Sequence, residues 1–390
     1  MNRDELFEIF SELMKAFSLK GKLLSYEAIK SGNINDTYSI LTDYNGKNKQ
    51  YIIQRVNQFV FPNPEKIASN VYKVTKHIES KLRARGVTDI RRRVVRYYQQ
   101  PDGSFYYCMK DGSYWRVLSY VFNSVNYDQA ESLKILKSTG VAFGSFQADL
   151  TDFPADELYE TISDFHNTEK RFADLYEAAE KDEYSRLCEV KDEFEYLKSK
   201  ASCASMFREM SESGEIPLRV VHNDTKCNNV MFDDKTGDPL AVIDLDTVMP
   251  GYVAYDFGDA VRFAANTASE DEKDLSKVSL DIDKYDAFAE GFLSQTADML
   301  TKNELRTLPD GVLAITLELA ARFMTDYLNG DKYFKCKMEK HNLIRTRVQI
   351  ELAKDIERKM PKLREHLLAL YYAHFASSYA INYTNSKIKQ

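Results

Sequence analysis

Several things are scarce in this 390-residue chain, and each scarcity closes off a class of function. It has five cysteines, Cys108, Cys188, Cys203, Cys227 and Cys336, an odd number with no C-x-x-C pair. That excludes a disulfide framework and a cysteine zinc site. No uninterrupted apolar run approaches the roughly 18 residues that a membrane-spanning helix needs. The opening stretch MNRDELFEIFSELMKAF is charged and helix-periodic, without the apolar block of a signal peptide. Positive charge is also short: the formal net charge is -7 and the sequence pI about 5.6. The chain therefore lacks the basic stripe that phosphate-backbone binding requires, and nucleic acid is not an expected partner. The one basic cluster, Arg91-Arg92-Arg93, reads as a solvated strand edge or turn. Neither G-x-G-x-x-G nor a Walker lysine motif occurs. What is left is a soluble, cytoplasmic protein that touches no membrane and works on a small molecule.

The material present is ample for a large core, with 44% hydrophobic residues, and the length suggests two domains. Residues 1–20 read as an amphipathic helix, with Leu6, Ile9, Phe10, Leu13 and Phe17 at helical spacing. A meander of antiparallel strands follows: LLSYEAI, TYSILTDY, KQYIIQRV, VVRYYQ, SFYYCM and YWRVLSYVF, with turns at DYNGKNK and PDGS. One helix interrupts it, opening at Asn63-Pro64, carrying Ile67, Val71, Val74 and Ile78, and ending near Gly86. Beyond about residue 126 the pattern turns helical, including one long stretch from Phe165 to Ala201. The expected fold is α+β: a β-rich N-terminal lobe over 1–120 and a larger, mostly helical lobe over 121–390. Ligands favour such domain interfaces.

Inside the helical part lies one hairpin, and it is unusually polar at one end. The run RVVHNDTKCNNVMF places His222, Asp224 and Asn229 in an H-x-D-x-x-x-x-N pattern, and the returning strand LAVI leads into Asp244 and Asp246. A hairpin sets its strands side by side, so the loop with Asp224 and Asn229 falls near the strand end that carries Asp244. Two carboxylates, an amide and Lys226 at one strand end suit Mg²⁺ and phosphate. Mg²⁺ takes hard oxygen ligands, few of them from protein, and completes its shell with substrate phosphates. Phosphoryl transfer also needs a group to orient or deprotonate the acceptor hydroxyl. Either motif alone is weak, since Asp-x-Asp pairs often only cap turns. Their occurrence together, in order, behind a β-rich lobe is far more specific.

At these residues the chain resembles the aminoglycoside phosphotransferase-like branch of the protein-kinase-like families, and within it the N-acetylhexosamine 1-kinases. The likeness rests on GNINDTY (32–38), YIIQRVNQFVFPNPEKIASNV (51–71), HNDTKCNNVMFD (222–233) with IDLDTVMPGYVAYDFGDAVRF (243–263), and ARFMTDYLNGDKYF (321–334). It implies a two-lobed protein-kinase-like fold with ATP and Mg²⁺ as cofactors. Asp224 would be the catalytic base, Asn229 and Asp244 the metal ligands, and His222 the organiser of the loop. Asp246 is a weaker metal candidate. Lys226 either reaches the transferred phosphoryl group or faces solvent. For the nucleotide, the resemblance points to Gly32 in the first turn, to Arg55 as the cation at the end of the third strand with Glu65 or Glu79 as partner, and to backbone groups around Ser119, Tyr120 and Val121. For the sugar it points to Asn33, Asp224, Phe263, Arg322 and Tyr333. Asn33 stands where sugar-kinase relatives often carry His, which leaves the sugar preference open. Arg322 has a structural alternative, an ion pair with Asp326 one turn on. Asp256 and Asp259 of YDFGDAVRF read as structural, with Arg262 as partner.

The function this implies is transfer of the ATP γ-phosphoryl group to the anomeric hydroxyl of an amino sugar. The same chemistry on an aminoglycoside, choline or another sugar is the alternative. A non-catalytic nucleotide-binding scaffold is disfavoured by retention of Asp224, Asn229 and Asp244. A protein kinase is disfavoured because no Ala-Pro-Glu segment follows Asp244. The epimer, the nucleotide preference and the state as monomer or homo-oligomer are not readable from the chain.

Overall fold

The structure, a computed structural model, describes residues 3–29 and 34–388, with side chains to residue 376. Gly32 and Asn33 lie outside the described residues. The fold is α+β, as the sequence leads one to expect. Two compact units divide the chain: residues 1–128, 152–163 and 228–250 form the first, and the remainder forms the second. A single cut after residue 120 would assign the hairpin that follows Cys227 to the helical part; it packs with the first unit instead.

The first unit is built on a five-stranded antiparallel sheet. Helix α1 (Arg3–Ala16) precedes β1 (Lys22–Ile29), β2 (Asp36–Tyr44) and β3 (Lys47–Arg55). Then come α2 (Pro64–Ala84), α3 (Ile90–Arg93), β4 (Tyr107–Cys108), β5 (Tyr114–Ser119) and β6 (Ser124–Val125). The hairpin supplies β7 (Val230–Asp233) and β8 (Pro239–Val242). The sheet order is β1-β2-β3-β5-β4, and β6, β7 and β8 form a second, three-stranded sheet. Strand alternation decides which residues meet α1. Tyr51, Ile53, Trp115 and Val117 face it and bury Leu6, Phe10, Leu13 and Phe17. Each such side chain contributes roughly 1.5–3 kcal/mol. The intervening residues, Gln54 and Arg116 among them, belong to the opposite face.

The expected strand VVRYYQ does not form. Tyr97 makes an isolated bridge to Leu118, and Tyr98 N–H donates to Val117 O, but no continuous ladder develops. β4 holds that edge of β5, pairing Tyr107 with Trp115, and only two residues of SFYYCM enter it. The arginine cluster sits in the one-turn α3 and its C-terminal end, where Arg92 pairs with Asp233 and Arg93 with Asp89, both at 2.8 Å.

The second unit is helical: α4 (Leu133–Asp149), α5 (Thr168–Lys181), α6 (Lys191–Ser199), α7 (Ala201–Glu212), α8 (Val253–Ala264), α9 (Ile282–Thr296), α10 (Lys302–Leu328) and α11 (His341–Ile388). The single helical stretch expected from Phe165 to Ala201 is broken, because Asp182 ends α5 in the left-handed region at φ 34. Helices α8 and α10 touch backbone to backbone. A Cβ on Gly258 would lie 2.4 Å from Gly311 O, and one on Gly311 would lie 2.0 Å from Ala254 O. Only glycine permits that approach. Among the described residues no helix is long and apolar enough to cross a membrane.

Candidate active site

In the second unit the strand Arg219–Val221 delivers the loop His222–Lys226, and α8 holds it from below with two buried aspartates. Asp256 accepts the backbone N–H of His222 at 2.8 Å and of Asn223 at 2.7 Å, and Gln147 Nε2 at 2.7 Å. Asp259 accepts Thr225 N–H at 3.1 Å and Arg262 at 2.8 Å, while Thr225 Oγ1 donates to Asp256 O at 2.6 Å. Burial raises the Asp256 carboxyl above its usual range despite these donors. For Asp259, burial acts the same way, but the Arg262 guanidinium outweighs it and holds the carboxyl low. Asp256, which with Phe257 and Gly258 spells a kinase-like metal tripeptide, and Asp259 are both committed to holding the loop. His222 is fully buried against Phe143 and Phe146, and its Nδ1 accepts Asp224 N–H at 3.3 Å. Asp224 itself is half-buried and pairs with Lys226 at 2.9 Å.

In the first unit the hairpin β7–β8 sets Asn229 and Asp244 at one end. Val230 pairs with Val242, and Ile243 N–H donates to Asn229 O at 2.9 Å. Asp244 follows immediately in the left-handed region, φ 58, exposed, with its carboxylate not capping the turn after it. A non-glycine residue there stores strain of the kind that clusters at functional sites. One carboxylate and one amide oxygen at a strand end are the donors Mg²⁺ accepts, with phosphate oxygens supplying the rest. They fit the ion, although no group of three or more His, Cys, Asp or Glu that could hold a metal occurs among the described residues.

Asp246 does not act as a third ligand. It is 2% exposed, and both its oxygens are taken: Arg116 donates to them at 2.6 and 2.8 Å, Asn35 Nδ2 at 2.9 Å and Tyr97 OH at 3.1 Å. Burial opposes the charge on Asp246, but Arg116 outweighs it and holds the carboxyl below its ordinary range. Burial likewise pushes Tyr106, beside Arg116, up to about 12. Arg116 Nε also donates to Gln54 Oε1 at 2.8 Å.

The nucleotide candidates are more scattered. Arg55 ends β3 on the α1 side of the sheet and meets Asp36 at 4.0 Å. The pairing expected with Glu65 or Glu79 is not made, since Glu79 is taken by Arg83 at 2.6 Å and Arg96 at 3.1 Å. The reason is strand alternation: Gln54, not Arg55, shares a face with Arg116. Ser119 N–H donates to Arg96 O at 2.9 Å, and Val121 O accepts Ser124 Oγ at 2.8 Å. Tyr120 stacks edge-on against Phe122.

Two acceptor candidates do come together, wholly within the second unit. A cavity of about 220 Å³ is lined by Arg171, Asp174, Arg322, Thr325, Asp326, Asn329, Tyr333 and Phe334. Phe263, half-exposed on α8, is not among them. Arg322 lies over the Phe334 ring, 5.6 Å from its centroid, and has no hydrogen bond or ion pair among the described residues. Asp326 is not its partner. That carboxylate instead accepts the N–H groups of Lys332, Tyr333 and Phe334 at 2.8–2.9 Å, and Asn342 Nδ2 at 2.8 Å. It thereby fixes the loop that presents Tyr333, which is 63% exposed.

Sequence reasoning passed over Arg116, Arg171, Asp174, His166 and Glu318. One signal was available for the last. Glu318, Arg322 and Asp326 recur every four residues in the otherwise apolar ITLELAARFMTDYL, a charged stripe on one face of a buried helix.

Comparison with known proteins follows the same lines. The model of the phosphotransferase enzyme family matches residues 25–288. Among solved structures, a microcompartment-associated aminopropanol kinase aligns with TM-score 0.56 at 16% identity, covering 92% of this chain and 99% of that one. An ethanolamine kinase from Plasmodium vivax aligns with TM-score 0.54 at 13% identity, covering 90% of each. A spectinomycin phosphotransferase in complex with ADP and spectinomycin aligns with TM-score 0.50 at 12% identity, covering 92% and 99%. At these identities the likeness is one of fold.

Proposed function

Because the chain belongs to the phosphotransferase enzyme family, matched across residues 25–288, we propose that it transfers the γ-phosphoryl group of ATP to the anomeric hydroxyl of an N-acetylhexosamine. Asp224 takes the hydroxyl proton as the oxygen bonds to the γ-phosphorus. The bond from that phosphorus to the β,γ-bridging oxygen breaks, and ADP leaves with the electron pair. Asn229 and Asp244 would hold Mg²⁺, which would supply positive charge to offset that of the phosphates. Lys226, paired with Asp224 here, would turn to the transferred phosphoryl group. ATP as donor is supported by the ADP held in the spectinomycin phosphotransferase of like fold.

The observation that carries the acceptor reading is the guanidinium of Arg322. It is half-buried on a cavity wall and stacked on Phe334, and it makes no hydrogen bond or ion pair among the described residues. Its N–H groups are not taken up by the protein on that cavity wall, so the guanidinium supports a ligand that offers oxygen acceptors, such as sugar hydroxyls or an N-acetyl carbonyl. A cationic acceptor of the choline, ethanolamine or aminoglycoside kind would meet like charge at Arg322, and the two carboxylates of the same cavity are already engaged, Asp174 by Lys170 and Asp326 by main-chain amides. The test is ADP release with ATP, Mg²⁺ and free N-acetylglucosamine or N-acetylgalactosamine, their methyl glycosides, choline and an aminoglycoside, with phosphorus NMR of the product. Turnover of the free sugars alone is expected. Equal turnover of the methyl glycoside would refute a 1-kinase, and activity confined to amine-bearing acceptors would overturn the sugar reading.

A further inference from the structure

His166 is the second residue of the segment FHNTEKRF, just ahead of α5, and none of the assignments above uses it. It is largely buried between α8, α10 and the loop His222–Lys226. Its Nδ1 lies 2.9 Å from Glu318 Oε1 on α10, and its Nε2 lies 3.2 Å from the backbone oxygen of Asn223. Glu318 is 1% exposed, and its other oxygen accepts Thr168 Oγ1 at 2.8 Å. Both partners of the imidazole are acceptors: one a carboxylate, the other a carbonyl. A neutral imidazole carries a single N–H and satisfies only one of them, whereas the imidazolium donates to both. We propose that His166 is a cationic positioning residue, whose two N–H groups tie the carbonyl of Asn223, and with it the neighbouring Asp224, to Glu318 of α10.

The surroundings agree with a charged ring. Burial works against the cation, but Glu318 and, further off, Asp259 outweigh it and raise the His166 pKa. Glu318 is correspondingly held low by His166 against its own burial. The groups that face His166 are few. Helix α10 offers Glu318, with Arg322 beyond it, and α8 offers Asp259, itself paired to Arg262, and the Tyr255 ring at 5.8 Å. Thr168 at the start of α5 is bonded to Glu318, and Asp224 and Lys226 on the loop are paired to each other. The loop from His222 to Thr225 is therefore held from two sides. Asp256 and Asp259 grip the amides from one side, and His166 grips the Asn223 carbonyl from another. Arg322 follows Glu318 by one helical turn, so the same helix carries the cavity wall and the loop anchor.

The inference rests on the phosphotransferase reading of the loop but not on any particular acceptor, so its test has one arm without turnover. The chain has six histidines. Protein labelled with ¹⁵N-histidine, with His166→Gln to assign the resonance, reads the ring state of His166 directly. Doubly protonated nitrogens at pH 7, persisting to higher pH than in a free histidine, are expected. A neutral ring at pH 7 overturns the proposal, whatever the enzyme phosphorylates. The second arm is the pH profile of kcat, with the acceptor that proves active or with water as acceptor. Glu318→Gln keeps an acceptor at Nδ1 but removes the charge, and should move the alkaline limb to lower pH. His166→Gln retains one donor and should lose kcat by about tenfold to a hundredfold, the range for a charge-assisted hydrogen bond, at unchanged KM for ATP. An alkaline limb unmoved by Glu318→Gln, or a KM effect with kcat intact, refutes the positioning role.

Discussion

Asp246→Ala should destabilise the first unit severely, and the structure says by how much. The substitution deletes the acceptor of four hydrogen bonds, two from Arg116 at 2.6 and 2.8 Å, one from Asn35 and one from Tyr97. The guanidinium of Arg116, 1% exposed, stays behind without its counter-ion. Removing one partner of a buried ion pair costs about 3–5 kcal/mol, a large share of the roughly 5–15 kcal/mol by which domains are stable. For a domain of 150–250 residues this lowers Tm by roughly 6–20 °C. The chain has one tryptophan, Trp115, buried next to Arg116 in β5. Its fluorescence during urea or thermal unfolding reports this unit, while far-ultraviolet circular dichroism weights the helical one. Arg116→Met with Asp246→Leu leaves no buried charge, and this double variant should be more stable than Asp246→Ala. The pH dependence follows from the depressed Asp246 carboxyl. Its contribution is complete above the unfolded value near about 3.9 and is lost as pH falls through the lower folded value. The double variant should lack that acid-side loss. A Trp115 transition of Asp246→Ala within about 1 kcal/mol of the parent, the range of an ordinary substitution, would refute the reasoning.

Four further outcomes are expected. Asp224→Asn should lower kcat by about a hundredfold or more, the scale of general-base catalysis, with ATP binding by calorimetry retained; near-normal turnover would remove Asp224 from its role. Asp244→Ala should weaken Mg²⁺-dependent activity in a protein of normal stability, whereas Asp256→Ala, which strands the amides of His222 and Asn223 and the Gln147 side chain, should act through melting temperature; the reverse pattern would exchange the two assignments. Arg322→Ala should reduce kcat/KM for the acceptor by about 2–4 kcal/mol in transition-state terms and leave nucleotide affinity unchanged, which isothermal calorimetry with ADP checks. Gly311→Ala forces a Cβ within 2.0 Å of Ala254 O and should cost about 1–3 kcal/mol as overpacking, read as a loss of the helical transition.

Local pattern carried the sequence reading as far as local pattern determines structure. β1, β2, β3, α2 and the hairpin β7–β8 fall where alternation, turn residues and helical spacing put them, because each signal lies within a dozen residues. VVRYYQ looked like the others but pairs only briefly: Arg96 and Tyr98 bond to β5 at Ser119 and Val117, and β4 takes the same edge from Trp115 on, so no ladder continues. The long helical stretch beyond Phe165 broke at Asp182, where a polar residue accepts the left-handed conformation without announcing it. The loop His222–Asn229 and Asp244 were legible because their spacing is itself the motif. What binds them in place was not. Arg116 and Asp246 lie 130 positions apart, and His166 and Glu318 lie 152 apart. Nothing in either neighbourhood names the other, so an Asp-x-Asp pair looked like two metal candidates when its second member is an ion-pair partner. Arg322 stands out in the sequence as a charged residue in an apolar helix, and the partner suggested for it by i, i+4 spacing is occupied by main-chain amides.

That occupation has a practical consequence for redesign. The path of residues 332–334 is set by their own backbone, three successive amides converging on Asp326, and main-chain amides are indifferent to the side chains they carry. Positions 333 and 334 can therefore be diversified in a library while Asp326 and Asn342 stay fixed, so that the cavity wall changes chemistry without the loop changing course. Variants selected from it for a new acceptor would test whether the side chains at 333 and 334 contact the acceptor, with the scaffold held constant between them.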